Sequence, residues 1–265
     1  MKRILTLVAV LALVAGATSV ANAVVVIGGP GGSTNNGNLD LTYAQEINPP
    51  APGFFLPKPL GWVNEGSRSI TGPYEDEMSS EPWAGPAPTP VTTDGSANPP
   101  HPEGCGGDDC AVFFKPFSGN ATEGLATGHL YQDNPGTPGM KYILTGWAGA
   151  EANALMGAAE FAIDFLDGGN SPIGGASIDL LAAGLLTPNG EPFNYKQYMV
   201  MAVAPAGTAT VRARASMIDA MSNPAGGGQA FVIDDFSLIC VPEPATLALV
   251  GLGLVSMIGI RRRSS

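Results

Sequence analysis

The stretch Thr208-Ala-Thr-Val-Arg-Ala-Arg-Ala-Ser-Met217 decides the fold class, because its residues alternate strictly in character. Odd positions from 209 to 217 hold alanine, valine or methionine, and even positions from 208 to 216 hold threonine, arginine or serine. A period of two is that of a β-strand, whose successive side chains point to opposite faces of a sheet. The stretch therefore predicts a strand with one buried face and one solvated face.

Shorter runs of the same period fill most of the chain after Cys110, separated by clusters of Gly, Pro, Asn and Asp that are typical of turns. These runs are Val112–Phe114, Gly128–Gln132, Lys141–Trp147, Glu160–Asp167, Ile178–Leu186, Tyr198–Ala204 and Ala230–Ile239. Together they predict an all-β fold built as a two-sheet β-sandwich. Residues 148–162 and 177–186 are rich in alanine and leucine, so a helical alternative stays open for those two segments.

The composition limits the class of partner. The 265 residues include 36 glycines and 24 prolines, and the net charge is −11. Without Lys2, Arg3 and the three terminal arginines, seven basic residues stand against 23 acidic ones, so the rest of the chain carries −16. No nucleic acid is expected as a partner, because the body offers no basic patch for a phosphate backbone. Divalent cations or a neutral polysaccharide are compatible with this charge.

Residues 1–23 have the three parts of a secretory signal peptide. Met1-Lys2-Arg3 is basic, Ile4 to Gly16 is apolar, and Ala21-Asn22-Ala23 supplies small residues for cleavage. The apolar run is too short for a membrane span of about 20 residues. The secretion translocon and signal peptidase are therefore expected partners, and the mature chain is expected to begin near Val24.

The other end, residues 241–265, has the layout of a membrane-spanning tail. Val241-Pro242-Glu243-Pro244 precedes an uncharged segment, Ala245–Ile260, which is followed by Arg261-Arg262-Arg263. Sixteen helical residues rise about 24 Å, close to a hydrocarbon core of about 30 Å once arginine side chains reach to the interface. The arginines are expected to stay in the cytoplasm, so the sequence predicts a transmembrane helix at 245–260 with the body outside.

This tail resembles the PEP-CTERM sorting signal of Gram-negative bacteria over Val241 to Arg263. The resemblance implies recognition of Pro242, Glu243 and Pro244 by an exosortase, a membrane-embedded protease that removes the helix, with Arg261, Arg262 and Arg263 completing the sorting motif. It also implies export across the inner membrane, transient anchoring, and a final site at the cell surface or in the extracellular matrix. A permanently anchored surface protein is the alternative.

Proline divides the exported body near Cys110. Residues 24–104 hold 14 of the 24 prolines, and proline lacks the N–H that a strand ladder needs. Residues 24–110 are therefore predicted to contain the first strands joined by long loops, and residues 111–240 to form the main sandwich.

The order of fragments along residues 111–240 resembles the galactose-binding-like jelly roll of carbohydrate-binding modules. The fragments are Gly128–Gln132, Gly139–Tyr142, Ile163–Asp167, Ala204–Thr208 leading into Val211–Arg214, and Phe231–Phe236. The resemblance implies an early strand that pairs with the last one. Asn36-Gly37-Asn38-Leu39-Asp40 and Gly61-Trp62 partly match the early motifs, whereas the proline-rich insertion Pro82 to Pro102 departs from the family pattern.

The same resemblance implies a structural calcium ion between the first and last strands. Its ligands here would be Asp40 with Asp234 or Asp235, which is only part of the six to eight oxygens that calcium takes. Strand alternation would point Asp235 to the same side as Phe231 and Ile233, where a carboxylate needs a partner. A solvated strand end is the alternative reading of these acids.

The three cysteines suggest one small disulfide. Cys105 and Cys110 flank Gly106-Gly107-Asp108-Asp109, and a chain bound for an oxidising compartment can close such a loop. Cys240 is left over as a free thiol, an intermolecular link, or a partner for either of the other two.

Aromatic residues are the candidates for stacking on a sugar ring. The candidate ligand-binding residues are Trp62 and Trp83, with Trp147, Tyr74 and Tyr131 also considered, and a core position is the alternative for each. The sequence shows no phosphate-binding loop, zinc-protease helix or nucleophile elbow, so no catalytic residue is assigned. A non-catalytic binding or matrix protein is expected, and a secreted glycan-active enzyme is the alternative.

Overall fold

The computed structural model describes residues 23–28, 34–39, 41–46, 55–68, 80–83, 111–114, 124–187, 195–227 and 229–242. These residues form strands, turns and bends, and no helix occurs among them. The strands are β1 (Val24–Ile27), β2 (Thr42–Glu46), β3 (Phe55–Pro59), β4 (Val63–Arg68), β5 (Ser80–Trp83), β6 (Ala111–Phe114), β7 (Ala126–Pro135), β8 (Met140–Ala150), β9 (Ala158–Leu166), β10 (Pro172–Asp179), β11 (Lys196–Val203), β12 (Thr210–Ala220) and β13 (Phe231–Pro242).

Two main sheets build the fold. A six-stranded sheet has the order β11-β8-β13-β6-β5, with β1 also paired to β13, and a five-stranded sheet has the order β10-β9-β12-β7-β4. The pairs with a described register are antiparallel, and β2 and β3 form a separate two-stranded sheet. The prediction of an all-β sandwich is therefore confirmed, and β1, β4 and β5 from the proline-rich part belong to its sheets.

The core contains side chains that alternate along the strands of both sheets. Its largest fully buried apolar members are Tyr142, Phe114, Phe161, Phe165, Phe231, Phe236, Ile27, Leu39, Leu130 and Leu144. Several aromatic rings are in contact across the core, including Tyr142 with Phe165 at 5.7 Å between ring centroids and Phe161 with Phe236 at 4.9 Å. These contacts bring the two sheets together, because β8 and β13 lie in one sheet and β9 lies in the other.

The predicted strand at Ile178–Leu186 is misplaced. The observed strand β10 covers Pro172–Asp179, and residues 180–184 form turns. Asp179 causes this change, because its Oδ1 atom accepts hydrogen bonds from the N–H groups of Leu181 and Ala182 and so starts a turn. Neither segment with a helical alternative forms a helix. In the first, residues 148–150 end β8 and β9 begins at Ala158; in the second, residues 177–179 end β10 and residues 180–184 form turns.

Tyr198 places a polar hydroxyl group in the core. Its side chain is 6% exposed, and its buried hydroxyl has no hydrogen-bond partner among the described residues. An unpaired buried polar group destabilises a fold, so Tyr198→Phe is expected to raise the free energy of unfolding by about 1 kcal/mol in chemical denaturation at neutral pH. Burial raises the pKa of Tyr198. The folded state therefore disfavours the ionised tyrosine, and the advantage of phenylalanine should grow above about pH 10.

Tyr142→Phe is the matched control for this prediction. Tyr142 is 1% exposed, but its hydroxyl accepts the Thr137 N–H at 2.9 Å. Removing that hydroxyl should lower the free energy of unfolding by about 1 kcal/mol. A loss of stability in Tyr198→Phe as large as that in Tyr142→Phe would contradict the assignment of an unpaired hydroxyl.

Candidate functional site

A polar face covers the outer side of the five-stranded sheet. On β12 the buried Val211 and Ala213 alternate with the half-buried Arg212 and Arg214, as the opening stretch predicts. Polar residues of β7 and β9 lie opposite Arg212, Arg214 or Ser216, and Glu65 of β4 lies opposite His129. Together they define what we call the polar face: Glu65, His129, Tyr131, Asp133, Glu160, Asp164, Arg212, Arg214 and Ser216.

Arg214 lies at the centre of the polar face. Its Nε and Nη2 atoms donate to the two carboxylate oxygens of Asp164 at 2.8 and 3.3 Å. Its Nη1 atom donates to Ser216 Oγ at 2.6 Å and contacts Glu160 Oε2 at 3.5 Å. Burial of the guanidinium acts to lower the pKa of Arg214, but the hydrogen bond and charge of Asp164 outweigh it and raise that pKa. The network therefore fixes a charged guanidinium between two carboxylates.

Arg212 and Tyr131 form a second group on the same face. Arg212 donates to both carboxylate oxygens of Asp133, at 2.7 and 2.8 Å, and its guanidinium carbon lies 3.7 Å from the centroid of the Tyr131 ring. The hydrogen bond to Asp133 raises the pKa of Arg212. A cation over an aromatic ring is attracted to it, so Tyr131 is held in one position by a salt-bridged neighbour.

His129 belongs to the Arg214 group through Ser216. Its Nδ1 atom lies 2.7 Å from Ser216 Oγ. Because Ser216 already accepts a hydrogen bond from Arg214, its hydroxyl hydrogen can be donated to the imidazole. Burial lowers the pKa of His129, and the charge of Arg214 lowers it further. His129 is thus expected to be neutral at pH 7.

The arrangement can bind a polar ligand by hydrogen bonds. The two arginines and their carboxylate partners are held by one another on the outer side of the sheet, so little side-chain entropy is lost when a ligand binds. The sequence identified the alternation of β12 but assigned Arg212 and Arg214 no role in binding. One signal could have identified them: β12 has arginines at its exposed positions, and other predicted strands have Asp or Glu at theirs.

A second polar cluster connects the early motifs of the jelly-roll resemblance. The Asn36 amide nitrogen donates to the carbonyl groups of Leu41 and Leu60, each at 2.9 Å, and its Oδ1 accepts the Leu41 N–H. The Trp62 indole donates to the Asn36 carbonyl, and the Phe236 N–H donates to the Gly37 carbonyl. The early strand that pairs with the last strand is therefore β1 (Val24–Ile27), whereas the Asn36-Gly37 motif lies in a turn that contacts the last strand through this hydrogen bond.

The candidate aromatic residues differ in exposure. Trp62 is 3% exposed, and its ring lies 5.2 Å from that of Phe236, so it is a core residue and cannot stack on a sugar. Only the backbone of Trp83 is described, in β5 opposite Ala111. Trp147 is half-buried on β8 opposite Gln197, and Tyr131 lies on the polar face. Tyr74 lies outside the described residues.

The two acids proposed for calcium on the last strand lie at a break in its alternation. Phe231 and Ile233 face the core, and so does Phe236, three residues further on. Asp235 has a positive φ of 46°, and its N–H donates to Asp234 Oδ1 at 2.7 Å. Asp234 is fully buried and Asp235 half-buried, so the simple alternation predicted from the sequence stops here.

Several predicted sites lie outside the described residues: Asp40, Cys105, Cys110, Glu243, Pro244, Arg261, Arg262 and Arg263, with the signal peptide up to residue 22 and the helix at 245–260. Pro242 is the last residue of β13, and Cys240 is a buried free thiol. Within the described ranges, no group of three or more His, Cys, Asp or Glu is placed to hold a metal ion. Nor does that part of the chain contain a helix long and apolar enough to cross a membrane.

The fold and the tail together define the class of this chain, an all-β sandwich protein with a C-terminal sorting signal. Residues 241–263 match the PEP-CTERM protein-sorting motif. The resemblance noted for the tail is therefore confirmed, and this motif implies export, transient membrane anchoring and processing by an exosortase at the cell surface. No curated protein sequence matches the chain.

Solved structures of low sequence identity resemble the body. A family 61 carbohydrate-binding module in complex with β-1,4-galactotriose is 14% identical with a TM-score of 0.34, over 68% of this chain and 88% of that module. The CBM22-1 xylan-binding domain of Paenibacillus barcinonensis Xyn10C is 8% identical with a TM-score of 0.35, over 77% of this chain and 95% of that domain. The enzymatically active domain of the bacteriophage CBA120 tailspike protein 4 is 13% identical with a TM-score of 0.40, over 68% of this chain but only 19% of that protein.

Proposed function

We propose that this chain is an exported surface or extracellular-matrix protein whose polar face binds a neutral polysaccharide without cleaving it. The observation that carries the proposal is the Arg214 network beside Tyr131. Sugars present many hydroxyl groups, each a donor and an acceptor, together with apolar ring faces that pack on aromatic side chains. The polar face offers both kinds of contact on one rigid surface.

The charge of the polar face favours a neutral ligand. Two arginines stand against four carboxylates, those of Glu65, Asp133, Glu160 and Asp164, and residues 24–240 carry −15, from seven basic and 22 acidic residues. Such a surface repels an anionic polysaccharide. Neutral chains lack that repulsion, and they can accept hydrogen bonds from the arginines while donating to the carboxylates.

The pairing of the central carboxylates supports binding without catalysis. A typical glycosidase uses two carboxyl groups, one of which must remain protonated to act as an acid. Asp164 and Glu160 instead both contact the same Arg214 guanidinium, at 2.8 and 3.5 Å, so both are held as partners of an arginine. A glycan-active enzyme is the second candidate and would need a different pair of acids.

The route to the surface follows from the two chain ends. We propose that the secretion translocon exports the chain, that signal peptidase cleaves it near Val24, and that an exosortase-like membrane protease removes the helix after recognising Pro242, Glu243 and Pro244. Between export and removal of the helix, the tail would span the inner membrane with Arg261–Arg263 in the cytoplasm. The product would be free to join the cell surface or a polysaccharide matrix.

A structural calcium ion is a further part of the proposal. Asp234 and Asp235 supply two carboxylates beside the Gly37 turn, and the Oδ2 atom of each is buried. Calcium needs more oxygen ligands than these, so Asp40 and backbone carbonyls would have to complete the shell. When bound, the ion would neutralise Asp234 and Asp235 and leave the polar face unchanged.

The test is affinity electrophoresis of the full chain in gels that contain neutral or uronic-acid polysaccharides, with calcium or with a chelator. We expect retardation by at least one neutral polysaccharide, and Tyr131→Ala should weaken it about tenfold through loss of the aromatic contact. Trp147→Ala is the matched control, because Trp147 is a half-buried aromatic residue on the other sheet, and it should leave the retardation intact. Absence of retardation in every gel, or loss in Trp147→Ala alone, would contradict the proposed site.

A further inference from the structure

Strand β11 forms one edge of the six-stranded sheet. It pairs with β8 through eight consecutive positions, from Lys196 opposite Ala148 to Val203 opposite Lys141, with no shift in register. On its other side, no strand of the described ranges pairs with it. One row of its backbone N–H and C=O groups therefore points away from the sheet.

The other ends of the two main sheets carry features that discourage the addition of a strand. Strand β5 contains Pro82, which cannot donate to a ladder. Strand β4 contains Glu65 and Arg68, two charges on a six-residue edge. Strand β10 begins with Pro172, shifts register, and has Gly175 at a φ of 155°. Prolines, charges and irregularities at edges are the devices that prevent edge-to-edge pairing.

Strand β11 has none of these devices along most of its length. Its sequence, KQYMVMAV, contains no proline or glycine, and its single charge is Lys196 at the first position. Its outer face is apolar, with Met199 54% exposed, Met201 51% and Val203 49%. A regular, uncharged edge strand with exposed apolar side chains is a site for pairing with another strand.

We propose that β11 pairs with β11 of a second copy of this chain, in an antiparallel arrangement about a two-fold axis at Val200. Directly opposite residues of an antiparallel pair lie on the same face of the sheet. Because side chains alternate between faces along β11, two opposite residues must both have odd numbers or both have even numbers. Centring the axis on Val200 pairs residues 197–203 with themselves in reverse order. Met199 then lies opposite position 201 and Gln197 opposite position 203, while Lys196 stays outside the paired segment.

The charge pattern favours a second copy in this orientation. Residues 24–240 of each copy carry −15, so two copies repel each other least when they approach through an uncharged surface, which residues 197–203 provide. A parallel pair would place the two Lys196 ammonium groups side by side. The antiparallel pair separates them by about eight residues, roughly 27 Å at 3.4 Å per residue. The two-fold axis closes the assembly at a dimer, because each copy uses the same edge.

This dimer is independent of polysaccharide binding. The polar face belongs to the five-stranded sheet, whereas β11 belongs to the six-stranded sheet. A variant that loses one property is therefore expected to retain the other. In a matrix protein, pairing would make each assembly bivalent and so increase its retention on a polymer with repeated sites.

The test is sedimentation velocity of the full chain in a mild detergent over a range of concentrations. We expect a concentration-dependent dimer in the unmodified chain. Met201→Lys should weaken it at least about tenfold, because two ammonium groups would enter the pair near the axis. Val63→Lys is the matched control: Val63 is 46% exposed on the edge strand β4, and its change should leave the dimer intact.

Three outcomes would overturn the proposal: a monomer at every concentration, a dimer that Met201→Lys leaves unchanged, or equal dissociation in both variants. A dimer that formed through the tail would give the second outcome, because Met201→Lys does not change the tail. Hydrogen exchange supplies a second measurement. The amide groups of 197–203 that point away from β8 should exchange more slowly as the concentration rises, and unchanged exchange would exclude pairing through this edge.

Discussion

Phe236→Ala is expected to lower the free energy of unfolding by about 4 kcal/mol, the largest effect of any single substitution proposed for this chain. Phe236 is 1% exposed, and its ring lies 5.2 Å from that of Trp62 and 4.9 Å from that of Phe161. It therefore joins the last strand to the five-stranded sheet and to the β3–β4 connection. Chemical denaturation of the variant, followed by tryptophan fluorescence, measures the loss.

Two controls separate a cavity from a general loss of apolar surface. Phe236→Leu keeps most of the side-chain volume and should cost less than half as much, because the cavity is smaller. Leu125→Ala removes a side chain that is 42% exposed and should change the free energy of unfolding by less than about 0.5 kcal/mol. Equal losses in Phe236→Ala and Leu125→Ala would mean that Phe236 is not part of a packed core.

The sequence predicts the strands best where a single face is buried. Along β12 the period of two continues from Thr210 to Met217, because every second residue faces the core. The prediction is least accurate at β10, where glycines leave no side-chain pattern and Asp179 ends the strand through local hydrogen bonds. Leu180 and Leu185 extend the apolar run but reach the core from a turn, so their burial does not indicate a strand.

The candidate site could be predicted only in part, for a physical reason. Strand alternation gives the face on which Arg214 lies, but it does not give the neighbouring strands, and the salt bridge to Asp164 depends on β12 lying beside β9. Strand order is set by contacts distant in sequence, which periodicity does not report. For the same reason Trp62 is a plausible ligand-binding residue from the sequence and a core residue in the structure.

Asn36→Ala is expected to lower the free energy of unfolding by about 3 kcal/mol, the second large effect. The side chain is 5% exposed and satisfies three backbone groups, the N–H and carbonyl of Leu41 and the carbonyl of Leu60. Alanine would leave all three without this partner, at about 1 kcal/mol or more each. Asn36 also has a φ of 51°, a left-handed conformation that asparagine tolerates better than alanine.

Two variants divide this loss into its causes. Asn170 has a φ of 61° and is exposed, so Asn170→Ala measures the backbone cost alone, about 1 kcal/mol.

Asn36→Asp keeps the acceptor for the Leu41 N–H but replaces the amide donor with an oxygen facing two carbonyls, so it should destabilise the protein at least as much as alanine does at neutral pH. Lowering the pH protonates that carboxyl and restores one donor, and the Asp variant should then recover part of its stability relative to the Ala variant. If Asn36→Ala costs no more than Asn170→Ala, the amide contacts contribute nothing, and the connection between the early turn and the last strand must depend on Trp62 and Phe236 alone.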